Sequence, residues 1–243
     1  MKGKILRVKD VDQDTVVNMY KLFLQQFEDI SLQDFKRDLT QKNWLLLLSL
    51  DDGALAGFSS MHVYQATVAD RSMLVAFSGD TVVDASTWRD SALSYYWMGA
   101  IDYLRRKHQA DRIYWFLLVS GYRTYRFLPV YSQSFYPRFD QQTPGDVQRV
   151  MDTLALQRYG ERYDAVAGVV QLDVPAILRE PFRGIPEHRL KDPHIAFFAE
   201  RNPGHLSGDE LVCFAEISED KLTRLGRRMW LRGRKLFPDD PSS

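Results

Sequence analysis

The amino-acid sequence predicts an α/β (α+β) protein whose mixed, mostly antiparallel central sheet is flanked by helices. Residues 72–119 read as strand, short polar loop, long helix and strand, which is typical of a parallel strand pair joined by a crossover helix. Before them, three β-rich runs follow one another with tight turn signals between them, as antiparallel neighbours do. Together these patterns place one parallel pair in an otherwise antiparallel sheet.

The chain begins with a short strand over residues 4–8 and continues with two capped helices. Asp12 or Asp14 can cap the first helix, because a side-chain oxygen at this position accepts a free backbone N–H. Ser31 followed by Asp34 is a variant of the capping box and predicts the start of the second helix. Apolar side chains at helical spacing form one face of the first helix: Val16, Tyr20, Phe23 and Phe27.

Three strands are predicted over residues 43–50, 54–66 and 72–83. The sequence Asp51-Asp52-Gly53 joins the first two as a hairpin turn, because Asp-Gly suits backbone conformations with positive φ. A helix over residues 91–108 and a strand over 113–119 follow. The basic run at the end of that helix is explained by the helix dipole, which favours cations there.

The region after residue 120 is less regular. Residues 121–139 are rich in aromatic and arginine side chains, and two prolines make a single straight helix unlikely to form there. This aromatic run is interpreted either as a layer closing the core or as the wall of a substrate pocket. A helix is predicted over 144–159, strands over 165–172, 194–199 and 210–217, irregular chain over 174–192, and a helix over 218–235.

Composition excludes several functional classes. The 243 residues carry 32 basic and 32 acidic side chains, so bulk charge gives no reason to expect nucleic-acid binding. No run approaches the length of a membrane span, and the N-terminus lacks the apolar segment of a secretory signal. Cys213 is the single cysteine, and its apolar neighbours predict a buried structural residue. We therefore expect a cytoplasmic protein, and the spacing of His188, His194 and His205 predicts no metal site.

The order of elements resembles that of the Gcn5-related N-acetyltransferase superfamily. That family binds the pyrophosphate of acyl-CoA through a loop Q/R-x-x-G-x-G/A, which Arg89-Asp90-Ser91-Ala92-Leu93-Ser94 matches in degenerate form. Arg89 fits the pattern, whereas Ala92 and Ser94 replace glycines, and small residues still let a phosphate approach the backbone. The resemblance implies acetyl-CoA or a longer acyl-CoA as donor substrate, bound by this loop and by Val82 and Val83 at the end of the preceding strand.

The resemblance also implies residues for acyl transfer. The base is often a carboxylate on or near the strand before the loop, and Asp80 lies there in an otherwise apolar run, where an unpaired charge is costly. Asp80 is alternatively a bulge residue, and His62 on the preceding strand is either a second base or a structural histidine. Tyr125 is the nearest candidate for the general acid, with Tyr122 and Tyr131 as further acid candidates and as substrate-binding residues.

Two functions from different classes remain open at this stage. The first is an N-acyltransferase that moves an acyl group from acyl-CoA, or from an acyl carrier protein, to a small-molecule or amino-acid amine by direct attack. The second is a catalytically silent binding or regulatory module, favoured by the lost glycines. A gap between the two parallel strands favours the enzyme, and a gap filled by Trp88 or Trp115 favours the silent module.

The expected organisation is one domain over residues 1–243. Its core is predicted over residues 4–140 with closing strands over 194–217, an extra segment over 141–193 and a C-terminal helix over 218–236. The last hundred residues are expected to cover the active site, bind the acceptor or build a homodimer. The final residues, 238–243, are predicted to be a frayed tail.

Overall fold

The structure, a computed structural model, describes residues 1–88, 90–180 and 182–238 of the chain. Its first elements are β1 (Lys2–Arg7), α1 (Gln13–Phe23), β2 (Phe27–Glu28), α2 (Leu32–Thr40), β3 (Trp44–Ser49), β4 (Leu55–Val68) and β5 (Arg71–Val83). The middle of the chain forms α3 (Ala92–Lys107), β6 (Ile113–Val119), α4 (Tyr122–Tyr125), α5 (Phe127–Tyr131) and β7 (Phe135–Tyr136). The remainder forms α6 (Gly145–Tyr159), β8 (Tyr163–Asp164), β9 (Val169–Val170), β10 (Ile177–Leu178), α7 (Pro193–Arg201), β11 (Glu210–Ile217) and α8 (Arg224–Arg234).

The two N-terminal helices begin where the capping residues predict. The Asp12 side chain accepts a hydrogen bond from the Thr15 N–H at 2.7 Å, and the Ser31 hydroxyl accepts one from the Asp34 N–H at 3.1 Å. Each cap satisfies a backbone donor that the first helical turn leaves free. Helix α1 ends at Phe23, so Phe27 lies in β2 and stacks on the Phe23 ring at 4.5 Å instead of continuing the helix.

One sheet runs through the molecule in the strand order β1-β3-β4-β5-β6-β11-β9-β8, with β7 also pairing with β11. Only β5 and β6 pair in parallel among the strand pairs of the described residues. Helix α3 connects these two strands, as a crossover helix does in a parallel pair. The predicted fold class, a mixed and mostly antiparallel sheet flanked by helices, is confirmed.

The parallel pairing of β5 and β6 is short. It joins Val75, Ala76, Phe77 and Ser78 with Tyr114, Trp115, Phe116 and Leu117. Beyond Ser78, β5 continues only along β4, and the register shifts between Ser59 and Met61. This shift places Gly79 and Asp80 opposite the single residue Ser60, which is a β-bulge. The two parallel strands therefore separate after Ser78.

Apolar side chains pack on both faces of the sheet. Helices α3 and α8 cover one face, and α6 together with α1 and α2 covers the other. Helices α3 and α8 cross with Gly99 against Gly233, where a Cβ on Gly99 would lie 2.5 Å from the Gly233 carbonyl oxygen. Two glycines thus let the helix backbones approach more closely than any side chain allows.

The strand predicted over residues 194–199 is wrong, because Pro193–Arg201 forms the helix α7. Asp192 caps this helix by accepting the His194 N–H at 3.0 Å, and Pro193 occupies the first helical position, which it favours. Ile195 and Phe198 are buried three residues apart, which is a helical spacing. The sheet is instead closed by β11, which pairs antiparallel with β6, and by the short β7 and β9.

The strand predicted over residues 165–172 is also largely wrong. Only Val169–Val170 form a strand there, because the Asp164 carboxylate accepts the N–H groups of Val166 and Ala167 and holds a turn. The aromatic run over 121–139 forms two short helices and a two-residue strand, so the expectation that it contains no single helix is confirmed. Cys213 is fully buried in β11, as predicted.

The C-terminal helix begins later than predicted, at Arg224 after the cap Thr223, whose hydroxyl accepts the Gly226 N–H at 3.0 Å. Of the predicted tail, residues 239–243 lie outside the described part of the chain. No helix among the described residues is both long and apolar enough to span a membrane. The single-domain organisation stays a prediction.

Candidate active site

A large cavity opens where β5 and β6 separate. Its volume is about 1060 Å³, and residues 77–81 of β5 line it together with Trp115 and Leu118 of β6. Two groups of the lining side chains bear on the chemistry of the site. The first, here called the α3 wall, comprises Trp88, Asp90, Ser91, Ala92, Leu93, Ser94, Trp97 and Tyr131. The second, here called the carboxylate cluster, comprises Asp38, Lys42, Asp80 and Glu210.

The backbone of β5 turns polar groups toward this gap. The Asp84 N–H donates to the Ala56 carbonyl of β4 at 2.8 Å, and hydrogen bonding alternates along an antiparallel pair. Thr81 and Val83 therefore direct their N–H and C=O groups away from β4. In agreement, the Val83 carbonyl accepts Gln26 Nε2 at 2.6 Å and Trp88 Nε1 at 3.2 Å. Val82 itself is buried in the core, so only its neighbour Val83 reaches the cavity.

The start of α3 carries one occupied backbone donor. Asp90 Oδ1 accepts the Ala92 N–H at 2.9 Å, so the carboxylate lies at the positive end of the helix. The N–H groups of Leu93 and Ser94 have no hydrogen-bond partner among the described residues and belong to the open first turn. All four residues from Ser91 to Ser94 line the cavity. Arg89 lies outside the described residues, so its predicted role stays a prediction.

Tyr131 stands against the first turn of α3. Its hydroxyl and the Ser94 hydroxyl are 2.5 Å apart, and both side chains line the cavity. Burial raises the pKa of Tyr131, which keeps its phenol protonated at neutral pH. Of the three tyrosines singled out by sequence, Tyr131 is the one that the structure brings to the cavity.

The other two predicted tyrosines lie elsewhere. The Tyr125 hydroxyl donates to the Pro137 carbonyl at 2.8 Å, the side chain is fully buried, and it does not line the cavity. Tyr122 is buried beneath the Arg123 guanidinium at 4.8 Å and does not line the cavity either. A role for either residue at this cavity therefore has no support in the geometry.

His62 lies on the α6 side of the sheet and does not line the cavity. It stacks on Tyr64 at 4.5 Å, and its Nδ1 is 3.3 Å from Nη1 of Arg158, which does line the cavity. Burial and the charges of Arg158 and Lys42 lower the pKa of His62, so the imidazole is neutral at pH 7. The structure places it behind the cavity wall as a neighbour of Arg158.

Neither of the two tryptophans fills the gap. Trp115 is buried in the wall, where its Nε1 donates to the Ser78 hydroxyl at 2.8 Å and its ring packs 4.5 Å from that of Trp97. Trp88 is 43% exposed and packs against Phe182 with ring centroids 5.3 Å apart. The space between β5 and β6 therefore stays open.

The carboxylate cluster is built around Lys42, whose side chain is almost fully buried. Its Nζ donates to Asp38 Oδ1 at 2.7 Å and to Oδ2 at 2.8 Å. Burial and the Asp38 charge raise the pKa of Asp80 to about 7, although Lys42 opposes this. Burial and the charges of Asp80 and Asp38 raise the pKa of Glu210 to about 8, again against Lys42. Two carboxyl groups thus titrate near neutral pH at one place, which is typical of functional sites.

Glu210, Lys42 and Asp38 were not found by sequence reasoning, because α2, β5 and β11 meet only in the folded chain. The part after residue 144 also supplies cavity residues that carried no motif: Arg158, Tyr159, Arg162, Leu172, Asp173, Val174 and Ala176. The last hundred residues therefore contribute to the lining of this cavity, and their expected roles in covering the active site, binding the acceptor or building a homodimer stay predictions. Among the described residues, no group of three or more His, Cys, Asp or Glu is arranged to hold a metal ion.

The strand order, the parallel pair that separates and the helix that starts beside the gap agree with the family resemblance. The chain has a fold similar to that of the Gcn5-related N-acetyltransferases. No protein-family model matches the sequence, and no curated protein sequence matches it. The similarity is therefore one of fold and is not visible in the sequence as a whole.

Solved structures of several proteins are similar to the chain. One is a conserved protein from Enterococcus faecalis V583, a probable N-acyltransferase, at 15% identity and TM-score 0.40, covering 56% of this chain and 33% of that one. A second is a mutant BH1408 protein from Bacillus halodurans, at 17% identity and TM-score 0.41, covering 59% of this chain and 97% of that one. A third is an N-acetyltransferase from Escherichia coli in complex with CoA, at 14% identity and TM-score 0.39, covering 55% of this chain and 70% of that one. Similarity at this level says nothing of the donor, acceptor or catalytic residues of this chain.

Proposed function

We propose that the protein transfers an acyl group from acyl-CoA to the amine of a small molecule by direct attack. One observation carries this proposal: the open gap between β5 and β6 joins the first turn of α3 to the carboxylate cluster in a single cavity. The first turn offers backbone donors for a phosphate, and the cluster offers bases for an amine. Such a passage supports a reaction between two substrates that enter from different sides.

The α3 wall is the proposed donor site. The N–H groups of Leu93 and Ser94 would receive the pyrophosphate, and Arg89 would add its charge. Arg123 also lines the cavity, with its guanidinium 5.9 Å from the Trp88 ring and Nη1 donating to the Phe182 carbonyl at 2.9 Å. It has no carboxylate partner among the described residues, so it is available to a phosphate.

The extended arm of the donor would lie in the gap along β5. A pantetheine arm carries amide groups, which need hydrogen-bond partners when they leave water. Thr81 and Val83 turn their backbone polar groups toward the gap, so they supply such partners. A backbone N–H at this edge would also bind the oxygen of the thioester carbonyl and stabilise the negative charge that develops there.

Asp80 and Glu210 are the proposed bases. An amine enters the site protonated, and it must lose one proton before its lone pair attacks the thioester carbon. Once the C–N bond has formed, the nitrogen must lose a second proton to give the neutral amide, so the two carboxyl groups would accept one proton each. A carboxyl group with a pKa near 7 or 8 is suited to accept that proton at neutral pH. Collapse of the tetrahedral intermediate breaks the C–S bond, and Tyr131 would protonate the departing thiolate. Tyr131 replaces Tyr125 in this role because, of the three tyrosines singled out by sequence, it is the one that lines the cavity.

The proposed acyl group is acetyl or a longer chain, since Trp97, Met98 and Phe127 extend the apolar lining. An acyl carrier protein is the alternative donor, because it presents the same pantetheine arm. The silent binding module stays the alternative function. Asp90 at the start of α3 favours it, since a carboxylate there competes with a phosphate for the same N–H groups.

The deciding experiment is calorimetric titration of the purified protein with acetyl-CoA and with a longer acyl-CoA. Saturable binding is expected, and Arg89→Glu should weaken it because the substitution reverses a charge at the phosphate loop. Arg149→Glu is the matched control. It reverses an exposed charge on α6 at a residue that does not line the cavity, so binding should be unchanged.

Donor binding alone does not separate an enzyme from a silent module. The second measurement is release of the CoA thiol in the presence of a panel of primary amines. Amine-dependent release supports the acyltransferase. Tight binding without any amine-dependent release would favour the silent module, and failure of both thioesters to bind would leave the carrier-protein donor to be tried.

A further inference from the structure

Arg158 is a cavity residue for which the proposed reaction gives no role. It lies in the last turn of α6, half-buried, with its guanidinium 4.1 Å above the Phe77 ring. Nη1 lies 3.3 Å from Nδ1 of His62, which is neutral at pH 7 because of its lowered pKa. The guanidinium is thus held in place by an aromatic face and an imidazole, neither of which carries a negative charge.

Three other cations that line the cavity are each paired with a carboxylate. Lys42 pairs with Asp38 at 2.7 Å. The other two pairs are Arg162 with Asp173 at 2.7 Å and Arg37 with Asp34 at 2.5 Å. Arg158 forms no ion pair with any described residue. It therefore leaves one uncompensated positive charge at this part of the cavity.

Asp80 and Glu210 do not compensate this charge. The groups that shift the pKa of Asp80 are Asp38 and Lys42, and those that shift the pKa of Glu210 are Asp80, Asp38 and Lys42. The charge of Arg158 acts on His62 and on Tyr159, and the charges of Lys42 and Glu210 act on these same two residues in turn. No ion pair among the described residues joins the guanidinium to either carboxyl group, so the cavity holds one cationic and one acidic feature.

A planar guanidinium with several free N–H groups binds a carboxylate through two parallel hydrogen bonds. A partly desolvated site strengthens this attraction relative to water. One unpaired guanidinium matches a single negative charge, and the acidic groups nearby would repel a phosphate with two. The chemistry at this part of the cavity therefore suits a carboxylate.

We propose that the acceptor is an amino acid or a similar compound that carries a carboxylate beside its amine, with Arg158 binding the carboxylate while the amine faces Asp80 and Glu210. This inference rests on the proposed acyl transfer and specifies its acceptor class. Arg158 acts as the specificity-determining residue, because an amine without a carboxylate leaves the guanidinium unpaired in the occupied cavity.

The test compares amino acids with their carboxamides, in which the amine is kept and the negative charge is lost. The assay measures CoA thiol release with the full chain and a thioester that binds in the titration. Amino acids should react with a KM at least about 10-fold lower than their amides, as expected for a hydrogen bond to a charged group. Equal reaction of acids and amides would overturn the inference.

Variants of Arg158 provide the second arm. Arg158→Met should raise KM for the amino acid about 10-fold or more, with a smaller effect on kcat, because the contact is present in both ground and transition states. Arg158→Lys should restore part of the lost affinity for the amino acid. Lysine keeps the positive charge but lacks the planar group that forms two parallel hydrogen bonds. Arg149→Met on the exposed side of the same helix is the control and should change neither constant.

The outcomes separate the two proposals. Donor binding that is normal in Arg158→Met, together with the loss of preference for acids over amides, supports the inference. Donor binding with no reaction of any amino acid in the panel overturns the acceptor class while the donor site stands. If neither an acyl-CoA nor an acyl carrier protein binds to the unaltered protein, the proposed transfer is overturned and this inference with it.

Discussion

The Lys42 side chain crosses Gly79 at the β-bulge so closely that a Cβ at position 79 would lie 2.5 Å from Lys42 Cε. The same Cβ would lie 2.6 Å from the Ser60 hydroxyl. Glycine is therefore required by the close approach of the lysine, and the bulge that carries Asp80 also sets the position of Lys42. Local backbone geometry and the charge balance of the carboxylate cluster are thus linked.

Gly79→Ala should displace Lys42 and raise the pKa values of Asp80 and Glu210, because Lys42 is the charge that lowers both. We expect an upward shift of about one unit in the pH at which the pair titrates. Titration of the carboxyl groups by NMR measures it. Gly145→Ala is the control, since nothing lies within 4 Å of the added Cβ at that position. An unchanged titration in Gly79→Ala would contradict the proposed role of Lys42.

The raised pKa values of Asp80 and Glu210 also predict how the protein responds to pH. In the unfolded chain these groups have their ordinary pKa values of 3.8 and 4.5, but in the folded chain the pKa values are about 7 and about 8. Between about pH 4 and pH 8 the folded state holds protons that the unfolded state lacks. Their contribution to the free energy of unfolding therefore falls as pH rises through this window.

Replacing both groups, as Asp80→Asn with Glu210→Gln, should remove this dependence, so the variant gains stability relative to the wild type as pH rises from 4 to 8. Denaturant unfolding at several pH values measures the difference. The acyl-transfer rate of the wild type should rise with pH through 7 to 8, where the bases lose their protons. A rate that is flat over this range would count against both groups as bases.

Asp90→Asn should strengthen acyl-CoA binding. The carboxylate caps the Ala92 N–H at the positive end of α3, and its charge opposes the approach of a phosphate. Asparagine caps as well but carries no charge, so affinity should rise about 2- to 5-fold, as measured by calorimetry. Asp146→Asn, in the first turn of α6, is the matched control and should have no effect. Weaker binding in Asp90→Asn would show that the carboxylate helps the donor.

Asp102→Asn should destabilise the protein without changing the cavity. Asp102 of α3 is fully buried and accepts Arg234 Nε of α8 at 2.7 Å, with Arg105 Nη2 at 2.9 Å. Burial alone would raise the pKa of Asp102, but the arginines hold it below its usual value. Removing the charge leaves their guanidinium groups without their anion, at a cost of about 3 kcal/mol in the free energy of unfolding.

Thermal or denaturant unfolding of Asp102→Asn provides the measurement. Asp111→Asn, at an exposed position just after the same helix, is the control and should lie within about 0.5 kcal/mol of the wild type. At a temperature where Asp102→Asn and the wild type are both folded, the two proteins should bind acyl-CoA with equal affinity. A loss of binding without a loss of stability would show that Asp102 affects the cavity.

The sequence predicted most elements of the first half because their signals are local. Asp12 and Ser31 cap their helices through bonds to residues three positions away, and Gly53 takes the positive φ that its turn requires. The strand predicted over 194–199 failed because apolar residues in a short run fit either period, and the cap by Asp192 decided for the helix. Asp80 was found for the same local reason, as a carboxylate inside an apolar strand.

The composition, the helix caps, the turns and the alternation of strands and helices were determined by the sequence itself, since each depends on neighbours along the chain. The sequence did not determine that Tyr131 rather than Tyr125 lines the cavity. Both residues follow β6, and only packing decides which hydroxyl reaches the cavity. Nor did sequence indicate that Lys42, Glu210 and Arg158 would line one cavity with Asp80. Lys42 lies just after α2, whereas Asp80, Arg158 and Glu210 lie on β5, α6 and β11. The raised pKa values of Asp80 and Glu210 arise only when folding removes these carboxyl groups from water.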